Sequence, residues 1–128
     1  MRRAFQLQDE DEQFLDDLES EWETISEGGN DWLIFKDVSM PDGYNQSVAD
    51  LAFLLKGYPQ AEIKMVRVHP ALTRKDSRTI PNISDEKFDG KTWQCWSRHR
   101  PDGSWRPGVD GVAHHYCTMY EVLKKYAQ

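Results

Sequence analysis

Residues 93–108 read Trp93-Gln94-Cys95-Trp96-Ser97-Arg98-His99-Arg100-Pro101-Asp102-Gly103-Ser104-Trp105-Arg106-Pro107-Gly108. The first part, Lys91 to Ser97, is a short extended piece in which aromatic residues flank a cysteine. The second part is basic and rich in Pro and Gly, so it reads as irregular chain. Past it, Val109, Val112, Tyr116, Met119 and Leu123 fall on one stripe and predict a closing helix over about 109–125. A strand, a long irregular stretch and a closing helix, in that order, set the end of the fold.

Upstream, Phe14, Leu18, Trp22 and Ile25 recur at helical spacing among acids, which predicts an amphipathic helix stopped by Gly28-Gly29. Trp32-Leu33-Ile34-Phe35 with Val38 predicts a strand, and Pro41-Asp42-Gly43 a turn after it. Val48 to Leu55 is read as a second strand and Ile63 to Val68 as a third, with Tyr58-Pro59 breaking the chain between them. Residues 70–90 are polar and hold Pro70, Pro81, Asn82, Ser84, Asp85, Asp89 and Gly90, so a long loop is expected there, a feature that is often functional. The order is helix, three-stranded antiparallel meander, irregular segment, helix: an α+β domain.

The 128 residues suit one domain, 1–128, with 1–8 expected to be flexible. With 38% hydrophobic residues and five each of Trp, Tyr and Phe, the chain can bury a core. No apolar run approaches the roughly 18 residues of a membrane span. Met1-Arg2-Arg3-Ala4-Phe5 leads into Gln and Asp rather than an apolar stretch, and Cys95 and Cys117 read as reduced thiols, so a cytoplasmic protein is expected. The net charge of −6 is unevenly spread: half of the 22 acids lie within residues 9–31, while ten bases face five acids over 64–106. A basic patch of this size fits nucleic acid or an acidic protein equally well on charge alone. A nucleic-acid role would rest on Arg98, Arg100 and Arg106 near Trp96 and Trp105, and none is expected.

Cys95, Ser97, Arg98, His99 and Arg100 put a thiol, a hydroxyl, an imidazole and two guanidinium groups within a few positions. A neighbouring cation or base is what turns a thiol into a useful nucleophile. The plain alternative is a small buried hydrophobe in a Trp-rich strand. A metal reading also competes, because Cys95 and His99 with His114 and Cys117 would supply four zinc ligands, though neither half matches a common zinc module. There is no Gly-rich phosphate loop, no Gly-x-Ser-x-Gly and no His-Glu-x-x-His, and no cofactor is expected.

The element order resembles the ubiquitin-conjugating enzyme fold over roughly residues 9–126. Tyr58-Pro59 precedes the third strand, as a Tyr-Pro step does in that family. Ile80-Pro81-Asn82-Ile83 stands where the family has His-Pro-Asn, and Trp105-Arg106-Pro107 follows Cys95 as a Trp-x-Pro does there. The stretches Trp96-Ser97-Arg98-His99 and Trp105-Arg106-Pro107-Gly108-Val109-Asp110, with His115, are similar to the C-terminal pattern of the bacterial group called prokaryotic family E.

The resemblance implies a long active-site loop carrying Cys95, which would accept the C-terminus of a ubiquitin-like protein from an activating enzyme as a thioester and pass it to an amine. It implies Asn82 as oxyanion donor and His99 as base or hydrogen-bond partner. Ser97 is a second acyl-acceptor candidate, through an oxyester. The partners implied are a ubiquitin-like protein, its activating enzyme and a deconjugating protease of the same pathway. A non-catalytic module that binds a ubiquitin-like protein is the alternative within the fold, and a small zinc-stabilised binding domain is the alternative outside it. Three features depart from the family pattern: Ile80 replaces His, thirteen residues separate Asn82 from Cys95, and the last helices of the fold are expected to be missing.

Overall fold

The computed structural model describes residues 1–98 and 103–128. Its elements are α1 (Asp9–Asp17), β1 (Trp22–Glu27), β2 (Asn30–Ser39), β3 (Val48–Leu54), β4 (Val66–His69), β5 (Ile83–Phe88), β6 (Lys91–Trp96) and α2 (Val112–Tyr126). The strands form one six-stranded antiparallel sheet in the order β1-β2-β3-β4-β6-β5.

The α+β class and the antiparallel sheet agree with the sequence reading, but the strand count does not. The expected first helix is shorter and gives way to a strand. Asp16, Asp17 and Glu19 crowd its C-terminal end, where the helix dipole disfavours negative charge, and its last turn holds no base. Trp22, Thr24 and Ile25 then suit a pleated surface better than a helix. Gly28-Gly29 is no helix stop. With φ +59° and +79° it forms the two-residue turn that pairs Glu27 with Asn30, and a turn of this kind needs both central residues at positive φ.

The long loop expected over 70–90 shortens to 70–82, because 83–88 pairs with 91–96 in a hairpin turned at Asp89-Gly90. Its outer positions are charged (Asp85, Glu86, Lys87), which hid the strand from a hydrophobic reading. The third strand starts at Val66 rather than Ile63, since Met65 sits at φ +62° and breaks the extended run. In α2 the buried stripe is Val112, His115, Met119 and Leu123, while Val109 precedes the helix and is exposed.

Each face of the sheet carries its own core. Leu33, Phe35, Leu51, Phe53, Val66, Val68 and Trp96 point to the side covered by α1 and α2. Ile25, Trp32, Ile34, Ala52, Phe88 and Trp93 form a second cluster on the other side. There Trp32 stacks on Phe88 with ring centroids 3.8 Å apart, and Phe88 stacks on Trp93 at 4.7 Å. Three strands separate β2 from β5 in the sheet, so the sheet must curl to bring those rings together. A polar clasp secures the curl: the Arg2 guanidinium bridges Glu23 on β1 and Asp89 at the β5–β6 turn.

Residues 2–5 run beside β1. The Thr24 N–H donates to the Arg2 carbonyl and the Ala4 N–H to that of Thr24, both at 3.0 Å. Arg3 lies over the Trp22 ring.

Two consequences can be measured. Trp32→Ala or Phe88→Ala should cost about 3–5 kcal/mol in urea unfolding, the usual loss for a large buried aromatic. Ile83→Ser on the exposed edge should stay within about 0.5 kcal/mol. The clasp also has a pH signature. Hydrogen bonding to Arg2 lowers the Glu23 carboxyl from 4.5 to about 2. Its stabilisation is therefore whole above pH 4.5 and is lost as the pH falls towards about 2. Arg2→Ala should flatten that acid limb of the stability curve.

Candidate active site

The β5–β6 hairpin folds the stretch between Asn82 and Cys95 back on itself, so that Asn82 lies beside Ser97, two positions past Cys95. Ile83 pairs with Trp96, so the next step outward sets Asn82 beside Ser97, and the Ser97 N–H donates to the Asn82 carbonyl at 3.0 Å. Asn82 is exposed and holds φ +55°, a conformation that Asn tolerates better than most residues.

Cys95 lies within β6, not on a long loop, which corrects the position implied by the ubiquitin-conjugating resemblance. It faces Arg67 across one edge of its strand and Ser84 across the other. The thiol is only 6% exposed, and its Sγ lies 3.9 Å from Met65 Sδ. Strand alternation sets Ser97 on the same face as Cys95, and Ser97 is half-buried.

Alternation also sends Arg98 to the opposite face. Its guanidinium sits over the rings of Trp96 and Tyr126 and donates to the carbonyls of Ser97, Asn82 and Pro81. Arg98 therefore fastens the Pro81-Asn82 segment, with its guanidinium on the face opposite Cys95. Among the described residues Arg67 sets a cation beside Cys95, which the sequence reading passed over because it is 28 positions away. Arg67 is 7% exposed, makes a 2.7 Å ion pair with Glu86 and lies over Trp32. His99 and Arg100 lie outside the described residues. Ile80, at the family's His position, is buried in the helix-side core.

A groove of about 220 Å³ opens next to the thiol, lined by Leu54, Lys56, Ala61, Glu62, Lys64, Met65 and Arg67. The Met65 backbone is held at both ends: its N–H donates to the Arg98 carbonyl at 3.3 Å, and His115 Nε2 donates to its carbonyl at 2.8 Å. His115 is fully buried on α2, edge-on to Phe53.

Across residues 7–126 the sequence matches the profile of the family described as Prokaryotic E2 family E. The chain belongs to prokaryotic E2 family E. No curated protein and no solved structure matches it. Membership makes this a ubiquitin-conjugating-like protein and implies, in general terms, dealings with a ubiquitin-like protein and an activating enzyme.

In this family E chain the landmark motifs meet in one knot. The Tyr58 hydroxyl donates to Asp11 Oδ2 at 2.6 Å and accepts from the Val112 N–H at 3.2 Å. Trp105 Nε1 donates to the Pro59 carbonyl at 3.1 Å, with its ring edge-on to Tyr58. The Tyr-Pro step, the Trp-x-Pro segment, α1 and the start of α2 are thus joined. Asp110 accepts from the Arg106 backbone N–H at 2.8 Å, and that bond holds its carboxyl below the usual range.

The zinc constellation is not assembled. His114 and Cys117 are exposed on α2, Cys95 is buried in the sheet, and among the described residues no group of three His, Cys, Asp or Glu side chains could hold a metal. Trp96 is fully buried, so it offers no face to a nucleic-acid base. Among the described residues no helix is long and apolar enough to cross a membrane.

Tyr58→Phe should leave the buried Asp11 carboxylate and the Val112 N–H without their shared partner. The expected loss is about 1–3 kcal/mol in urea unfolding, the penalty for stranding buried polar groups.

Proposed function

We propose that this protein is a carrier in ubiquitin-like protein conjugation, with Cys95 as the acyl acceptor. The observation that carries the reading is the β5–β6 hairpin, which sets the Asn82-Ser97 pair two positions past Cys95, beside a groove that ends at the thiol's neighbour Met65. The groove walls are apolar at Leu54 and Ala61 and basic at Lys56 and Lys64, which suits an extended tail of small residues ending in an activated carbonyl.

In the first step the Cys95 thiolate attacks that carbonyl carbon. A C–S bond forms, and the bond to the activating enzyme's group breaks with its electron pair leaving on that group. An amine then attacks the same carbon. A C–N bond forms, the C–S bond breaks, and the amine proton passes to solvent as the thiolate departs. Each attack builds an oxyanion, and Asn82 is the side chain we assign to hold it. Arg67, paired to Glu86, supplies positive charge on the strand next to the thiol. His99 stays assigned as a base or hydrogen-bond partner.

One observation favours a second reading on the same face. Cys95 is buried, whereas Ser97 is half-buried and directly beside Asn82, so the hydroxyl would carry an oxyester.

The test is a charging assay with a cognate activating enzyme and ubiquitin-like protein, run on non-reducing gels. The thioester reading expects an adduct that thiol reductant removes and that Cys95→Ala abolishes. Asn82→Ala should charge but discharge to an amine about 10²–10³-fold more slowly, the usual loss of one oxyanion donor. An adduct that resists reductant, yields to alkali and needs Ser97 would move the acyl group to the hydroxyl. Active partners with no adduct would leave the non-catalytic binding module as the function.

A further inference from the structure

We propose that the Met65 side chain is a gate between the groove and Cys95, so that only a tail able to displace its thioether reaches the thiol. This inference rests on the reading of Cys95 as the acyl acceptor. Met65 lines the groove and is half-buried, while the thiol beside it is 6% exposed and lies 3.9 Å from Met65 Sδ. A tail in the groove therefore meets the thioether before it meets the sulfur of Cys95. Methionine suits the task, being unbranched, apolar and free to turn about three bonds.

The backbone of the gate is fixed, and among the described residues' hydrogen bonds its side chain is held only by the 3.9 Å contact of Met65 Sδ with the Cys95 thiol. Residue 65 holds φ +62°, its N–H is bonded to Arg98 and its carbonyl to His115. Opening is thus a side-chain rotation and leaves the β3–β4 connection in place. The anchor at His115 belongs to α2, so the helix sets where the gate stands relative to the sheet.

The experiment measures alkylation of Cys95 by iodoacetamide in the folded full-length chain, with Cys117→Ser as background so that a single thiol reacts. Met65→Ala should raise the rate at least about 10-fold, because thiol reactivity follows exposure. Met65→Leu, which keeps most of the volume, should stay within about 2-fold of the background protein. Equal rates for Met65→Ala and the background protein would overturn the gate.

Should Met65→Ala fail to fold, the background protein alone decides. A gate opens locally, so its alkylation rate should hardly change with sub-denaturing urea, whereas a rate that climbs steeply from zero urea belongs to global unfolding and overturns the proposal. The two readings fail separately. Fast alkylation of Met65→Ala with no charging by active partners removes the carrier function and keeps the cover over the thiol. Charging that proceeds while alkylation is indifferent to residue 65 removes the gate alone.

Discussion

The stack of Trp32, Phe88 and Trp93 is the contact on which the architecture depends. A sheet whose strands are apolar on both faces cannot leave one of them in water, and among the described residues helices cover one face alone. The second face is closed by curling: Trp32 of β2 stacks at 3.8 Å on Phe88 of β5, a strand that is not its neighbour, and Phe88 stacks at 4.7 Å on Trp93 of the adjacent β6. Burial of three large aromatic side chains stabilises this closure far more than the Arg2 clasp at its edge, whose partners are partly exposed and screened. The clasp instead gives the closure its direction, because Glu23 lies on β1 and Asp89 at the β5–β6 turn, the two ends of the sheet that must meet.

The curl has a chemical consequence. It turns the face that carries Cys95 inward, so the thiol lies beside Arg67 and behind Met65 rather than on an open loop. A buried thiol is protected from adventitious oxidants and reacts only where the surroundings admit a substrate. The same curl buries Arg67, and a guanidinium in such a place needs a partner, which Glu86 supplies across the sheet. Charge, cover and thiol thus come from β4, the β3–β4 connection and β6, three separate parts of the chain.

On the opposite face the Tyr58 hydroxyl, Asp11 and the Val112 N–H tie both helices to the Tyr-Pro step, and Trp105 joins them from the irregular segment. α2 enters the sheet side with His115 pointing at residue 65. The helix therefore packs the core and also holds the backbone that bears the cover over Cys95. Arg98 couples the two faces: its carbonyl anchors Met65, while its guanidinium holds the segment that ends in Asn82.

From the sequence alone, the α+β class, β2, β3, most of α2 and the motifs that carry the family likeness were legible, because each is written in local periodicity or in turn chemistry. The family itself was legible too, through Tyr58-Pro59, Trp105-Arg106-Pro107 and the residues around Cys95. The short first helix and β1 were not, since Phe14, Leu18, Trp22 and Ile25 keep helical spacing across a boundary that acid crowding and Gly28-Gly29 decide. β5 escaped because an edge strand shows water its charges and so lacks an apolar pattern. The Asn82-Ser97 pairing, the Arg67 charge and the Met65 cover could not be read along the chain. They join residues brought together only when strands take their register, and register is a long-range property set by which faces the whole sheet must bury.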